Sequence, residues 1–491
     1  MFQDLGTSPD HEPSCTNPLP DRPSTRALAM LFNSTEFLIF FAAFALLYWL
    51  VRHSRARRNQ LIVAASWLFY GWWDWRFLGL LILSSIIDFQ VGAGMARSTS
   101  ARTRRHWLAV SLGFNLGMLG IFKYCGFFLE SFYGLLERVG VQHPSWTWNI
   151  VLPVGISFYT FQTLSYTLDV YWRRIQPAPD LTAFLAFVSF FPQLVAGPIE
   201  RASNLLPQFL EPRTIRLVDL EEGFLQILWG LFKKVVFADQ LAPFAELGLD
   251  RGINSLPVVI LGIVAFAGQI YGDFSGYSDI ARGLAQMLGF RLMHNFDRPY
   301  SATSVRDFWR RWHISLSTWL RDYLYVPLGG SRHGETRTCI NLFVTMLLGG
   351  FWHGAAWNFV LWGAWHGLAL VVHRQWNRHR TMPDALGRPL TWAVVGYGWL
   401  LFRAGSSANL LRLHRALLDL SMPAWLPTAA LSVAAWWLPI LLVESLQGTR
   451  PTPFREGIVP GWKRPAACAA LIIAIAAYWQ HQAVPFIYFQ F

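Results

Sequence analysis

Charge is scarce in this chain. Of its 491 residues only 14% are Asp, Glu, Lys or Arg, against roughly 25% in a soluble protein, which excludes a water-soluble enzyme. Cysteine is scarce too. Cys15, Cys125, Cys339 and Cys468 lie far apart with no C-x-x-C among them, so neither a zinc site nor a disulfide framework is readable. The chain lacks H-E-x-x-H, a P-loop and G-x-G-x-x-G. It also lacks the G-x-S-x-G elbow of a serine hydrolase, since GDFSG at 272–276 has the wrong spacing. No repeat of 20–50 residues recurs, which argues against a solenoid.

What is present is apolar and aromatic: 53% hydrophobic residues, 16% aromatic, 25 tryptophans and a mean hydropathy of +0.31. That composition predicts an all-α polytopic membrane protein. The net charge of +12 sits in short loops between apolar runs, the pattern of a membrane surface rather than of a nucleic-acid binder. Residues 1–29 hold five prolines and four acidic groups without an apolar core. They read as a disordered leader ahead of a true start at Met30, with residues 30–491 forming one membrane domain.

Apolar runs recur from about 36–51 to 465–482, and at roughly 20 residues per crossing they predict about 10–13 helical spans, including re-entrant and interfacial segments. Arg52, Arg55, Arg57 and Arg58, and then Arg97, Arg102, Arg104 and Arg105, form basic loops that share the cytoplasmic side only if 60–95 crosses twice. That places the GWWDW turn (71–75) and the mature N-terminus outside.

An ionisable group in hydrocarbon costs about 2.5–3.5 kcal/mol on insertion scales, so each one needs a reason. Three clusters stand out. In GQIYGDFSGYSDIARG (268–283), Asp273 and Asp279 interrupt an apolar run, and Asp279 and Arg282 share a helix face as an internal ion pair or line a wet cavity. In 306–334, Trp309, Trp312, His313, Leu316, Trp319, Leu320 and Tyr323 recur at three-to-four spacing, which predicts an interfacial amphipathic helix stopped at PLGG. In 346–370, Trp-His-Gly occurs twice, around His353 and His366, thirteen residues apart. On a continuous helix the two rings would stand about 220° out of phase, so no joint metal site is expected. Gly349, Gly350 and Gly354 predict a helix break at His353, of the kind that lines a cavity.

A neutral imidazole suits a general base, and activating a hydroxyl against a thioester further needs only positioning and oxyanion donors, which a glycine N–H or an indole such as Trp352 can supply. H-x-x-x-x-D occurs at His379/Asp384 and His414/Asp419, where chance is the better explanation.

The blocks FVSFFPQLVAGPIER (187–201), FSGYSDIARGLAQMLGF (274–290), FWRRWHISLSTWLRDYLYVPLGG (308–330), LGGFWHGAAWNFVLWGAWHG (348–367) and the terminal PFIYFQF resemble the membrane-bound O-acyltransferase (MBOAT) family, in its alginate O-acetyltransferase-like subgroup. The resemblance runs from about Met30 to the end of the chain. It implies a funnel-shaped helical bundle in the bacterial inner membrane that passes an acetyl group from a cytoplasmic thioester, with acetyl-CoA as donor substrate and no bound cofactor or metal. It implies His353 as the catalytic histidine, His313 as a second histidine lining the tunnel, and His366 as a recurring histidine of lesser role. Trp352, Asp273 and Asp279 stand beside these as supporting residues. The partners implied are periplasmic SGNH-hydrolase-like proteins and a polysaccharide acceptor, alginate first, with cellulose or peptidoglycan as alternatives.

A rival reading is a transporter or flippase that uses Asp273, Asp279 and Glu444, since carriers place such groups in broken helices; another is a non-catalytic subunit of a polymer-export complex. If 1–29 is a leader, deleting residues 2–29 leaves membrane insertion and activity intact, as an immunoblot and an acetyl-ester assay on the same cells would show; loss of insertion would refute it.

Overall fold

The computed structural model describes residues 30–141, 150–252, 255–380, 382–448, 461–479 and 486–487. The leader 1–29 and most of the closing PFIYFQF lie outside them. Every regular element among the described residues is helical. Arg55–Arg97, Ala101–Arg138, Leu256–Met287 and Leu426–Gln447 are long and apolar enough to cross a membrane, and Thr35–Val51 and Arg464–Tyr478 are shorter apolar helices. Gly334–His353 and Trp357–His379 run for 20 and 23 residues with polar ends, GETRT and HRQWNRH, that lower their hydropathy.

The stretch Arg55–Arg97 is two helices meeting at Asp74, whose backbone is extended (φ −162°, ψ 107°). A straight helix of that length would run about 64 Å, yet both ends belong to one polar layer. Arg58 donates to the carbonyls of Phe209 and Glu211, and Arg104 to those of Val170 and Tyr171. Asp169 bonds Tyr323 and Asp322 pairs with Arg201, which adjoins the helix Ala202–Leu210. The chain therefore turns back within GWWDW, as the two-crossing reading requires, and Trp72 and Trp75 stand exposed there. Arg55, Arg57, Arg97, Arg102 and Arg105 are exposed as expected of basic loops, whereas Arg58 is fully buried and Arg104 nearly so, each donating to backbone carbonyls at helix ends.

Two antiparallel helix pairs form the centre. The run Leu217–Leu249 lies against Leu256–Met287 along its length. A Cβ on Gly223 would stand 2.8 Å from Gly283 O, one on Gly230 2.5 Å from Gly276 O, and one on Gly248 2.5 Å from Gly262 Cα. Small residues let the backbones approach this closely. Gly334–His353 packs in the same way on Trp357–His379, where a Cβ on Gly350 would fall 2.3 Å from Phe359 O and one on Gly363 2.6 Å from Met346 O.

The expected single helix through 308–323 is instead interrupted. Val305–Arg311 and Ile314–Leu320 are separate helices joined by Trp312 and His313, and His313 adopts a left-handed backbone (φ 43°, ψ 53°). The break is held from a distant loop. Asn295 O accepts from Ile314 N (2.9 Å), and Asn295 Oδ1 from Ser315 Oγ (2.5 Å). Trp312 and His313 are buried, at 1% and 0% exposure, so this segment packs inside the bundle rather than lying at its interface.

Gly350→Ala is expected to wedge the two central helices apart at a cost of about 1–3 kcal/mol. The melting temperature of the solubilised protein should fall and its monodisperse fraction shrink; an unchanged melting curve would refute the close approach.

Candidate active site

The helix Gly334–His353 stops at His353, and Gly354 continues in extended conformation (φ −163°, ψ 153°) before the next helix starts at Trp357. The glycines thus mark the break expected at this position. Asn358 then bonds Phe402 O at 3.0 Å and joins the turn to the helix Asp384–Arg403.

His353 is 8% exposed and sits in an aromatic cage. Its ring centroid lies 5.1 Å from Trp352, 5.0 Å from Trp362 and 5.4 Å from Phe402, all edge-on. His313 stands 6.5 Å away, centroid to centroid, with Phe274 against it at 4.6 Å. Two histidines 40 positions apart in sequence therefore meet in one buried space. Neither ring nitrogen of His313 finds a hydrogen-bond partner among the described residues. Buried polar groups are normally paired, and a nitrogen without a protein partner beside a second imidazole is suited to a substrate. The indole N–H groups of Trp352 and Trp362 are likewise buried without an acceptor. They give the cage two donors for an oxygen that gains charge.

His366 lies at the edge of this cluster. It packs on Trp362 at 4.8 Å and Trp309 at 5.1 Å, and a Cβ on Gly398 would come within 2.4 Å of its Nε2. Because the helix breaks between them, His353 and His366 share the Trp362 ring instead of facing apart as on a continuous helix. Among the described residues no group of three or more His, Cys, Asp or Glu could hold a metal ion.

Asp273 and Asp279 belong elsewhere. Asp279 pairs with Lys233 (2.5 Å) and more loosely with Arg282 (3.4 Å), while Asp273 pairs with Lys234 (2.7 Å) and accepts from Ile487 N. These are ion pairs across the Leu217–Leu249/Leu256–Met287 contact, with Lys233 and Lys234 as partners that the spacing within 268–283 did not reveal. Asp279, Lys233, Arg282, Arg298, Tyr271 and Glu444 line a small polar cavity, from which Phe274, Phe296 and Trp312 separate His313. His414, from one of the two H-x-x-x-x-D matches, bonds Tyr397 and takes no part in the cluster.

Sequence reasoning missed Lys123. Its Nζ donates to the carbonyls of Trp352 (2.5 Å) and His353 (3.3 Å). The available signal was a lone cation in the apolar run GIFKYCGFF. Trp362, the shared ring, was missed as well.

Comparison with known proteins bears on this geometry. The sequence model of the MBOAT, membrane-bound O-acyltransferase, family matches residues 173–411, a span that contains His313, His353 and His366. A probable alginate O-acetylase AlgI of Azotobacter vinelandii is 43% identical over 395 residues, covering 79% of this chain and 78% of the relative. The chain belongs to the membrane-bound O-acyltransferase family. Its counterpart named probable alginate O-acetylase AlgI in Pseudomonas putida is 38% identical over 494 residues, 94% of this chain and 100% of the relative. A peptidoglycan O-acetyltransferase of Helicobacter pylori is 35% identical over 432 residues, 81% of each chain. The all-helical membrane fold expected from the sequence is thus in place, and the chain is an O-acyltransferase.

If the Lys233–Asp279 pair is structural, Asp279→Asn leaves a buried ammonium short of its counter-charge, at about 3–5 kcal/mol for a broken buried pair. The level of membrane-inserted protein should drop, and Lys233→Gln in the same chain should restore it; an immunoblot showing no recovery in the double variant would argue that Asp279 does more than balance Lys233.

Proposed function

We propose that the protein is an O-acetyltransferase of the bacterial inner membrane, passing an acetyl group from acetyl-CoA on the cytoplasmic side across the membrane to an acceptor hydroxyl for O-acetylation of an exopolysaccharide, alginate, with His353 as general base. The observation that carries this reading is the meeting of His353 and His313 in one buried aromatic cage at a helix break. The acceptor hydroxyl attacks the thioester carbonyl, a C–O bond forms, and its proton passes to His353. The carbonyl oxygen gains negative charge beside the Trp352 and Trp362 N–H groups. As the C–S bond breaks, the thiolate leaves and takes the proton back from the imidazolium. His313, neither of whose ring nitrogens has a hydrogen-bond partner among the described residues, orients the reacting groups.

Alginate as acceptor rests on the named activity of the Azotobacter and Pseudomonas relatives. Peptidoglycan is the second reading, favoured by the Helicobacter pylori relative. Delivery to a polymer outside the membrane calls for a periplasmic acetyl-transfer partner of SGNH-hydrolase type. The carrier reading finds its acidic groups already engaged: Asp273 and Asp279 by lysines, Glu444 by the Tyr271 hydroxyl.

His353→Asn keeps a polar side chain of smaller size and removes the proton acceptor. In a deletion strain complemented at matched membrane levels, it should lower acetyl ester on the extracted polysaccharide at least about 10²-fold, the scale of a lost acid–base group; ester at the wild-type level would end the assignment.

A further inference from the structure

A helix that ends inside a protein leaves its last carbonyls without intrahelical donors, and at a buried end the protein itself must supply them. At the end that carries His353, two consecutive side chains do so. Lys123 donates to the carbonyls of Trp352 and His353, and the Tyr124 hydroxyl donates to Phe351 O at 3.1 Å. A third bond runs from Lys123 to Ser157 Oγ at 3.2 Å, in the first turn of Ile156–Tyr171. Lys123 and Tyr124 lie in Gly120–Tyr124, a wide π-type turn inserted in the long helix Ala101–Arg138. Such insertions re-aim side chains and recur at functional sites.

The bonded partners of Lys123 are three neutral oxygens, matching the three N–H bonds of an ammonium, and the negative end of the helix dipole favours a cation there. The Tyr124 ring stacks on Phe351 at 4.2 Å, and the Lys123 amino group lies 5.6 Å from the Trp352 ring centroid. Three helical segments, Ala101–Arg138, Ile156–Tyr171 and Gly334–His353, are thus joined at one amino group, one residue from the catalytic cage.

We propose that Lys123 is a positioning residue for acyl transfer: by holding the carbonyl end of Gly334–His353 it sets where the His353 imidazole stands. The inference rests on His353 being the base. The amino group is spent on backbone carbonyls, so Lys123 acts through the helix end and not on the reacting atoms. Without its donors the last turn has two carbonyls to satisfy otherwise, and the extended Gly354 gives that turn freedom to move. A displacement of about 1 Å at the reacting centre is enough to cost about 10²-fold in rate.

The test uses inside-out membrane vesicles from alginate-producing cells, with acetyl-CoA as donor and full-length variants at matched amounts. Lys123→Met keeps the length of the side chain and removes every donor. It is expected to lower kcat about 10- to 100-fold while KM for acetyl-CoA stays within about twofold. Lys123→Arg, which still donates, should recover most of kcat, and a general loss of folding would not show that recovery. Wild-type kcat in Lys123→Met, or equal losses in the Met and Arg variants, would overturn the proposal. Should Lys123→Met fail to insert, Tyr124→Phe decides instead, since it removes one hydroxyl: a fall in kcat supports the proposal and a wild-type kcat overturns it. If His353→Asn remains active while Lys123→Met does not, the base has been misassigned and Lys123 does not act through His353, which also overturns it.

Discussion

The protein's site depends on a helix that stops where there is no water to receive its carbonyls. An α-helix inside a membrane is stable because it satisfies its own backbone, so ending one there requires outside donors. Here the stop at His353 is met by Lys123 and Tyr124 on one side, while Asn358 secures the restart by binding Phe402 O on the other. At the second break, Asp297 N–H donates to Arg311 O at the end of Val305–Arg311, and Asn295 accepts from Ile314 N and Ser315 Oγ at the restart. Each catalytic candidate therefore stands at a broken helix whose ends are fastened by residues distant in sequence. The left-handed backbone of His313 costs about 1–3 kcal/mol and persists because the Asn295 contacts hold the restart in place.

Around these breaks the bundle separates two kinds of polar group. The acidic residues of 268–283 face lysines and hold the Leu217–Leu249 run to the Leu256–Met287 helix, reinforcing a contact that glycines have already made intimate. The histidines face aromatic rings, and neither His313 nitrogen finds a partner among the described residues. That contrast separates acidic groups paired inside the bundle from histidines set among aromatic rings.

Much of this was legible in the chain. Hydropathy predicted a helical membrane bundle, the Trp-rich GWWDW turn marked the return of the second helical stretch, and the glycines flanking Trp352–His353 marked the break. These are local signals, carried by a residue and its near neighbours. What the chain did not disclose depends on partners far along it. The three-to-four spacing of apolar and aromatic residues through 309–323 was real, yet the chain breaks at His313 and burial inside the bundle replaces the interface. Arg58 and Arg104 looked like loop charges until the carbonyls they clamp were in view. Lys233 and Lys234 sat in an apolar run with no sequence neighbour to explain them. Lys123 caps a helix that begins more than 200 residues later.

The most direct test of the central claim is a structure of the protein with a non-hydrolysable acetyl-CoA analogue bound. The account predicts the analogue's carbonyl group inside the cage of Trp352, Trp362 and Phe402, close enough to His353 for an attacking hydroxyl to bridge them with contacts of about 3–3.5 Å. A carbonyl group held instead in the polar cavity of Lys233 and Asp279, with Phe274 and Trp312 between it and the histidines, would contradict it.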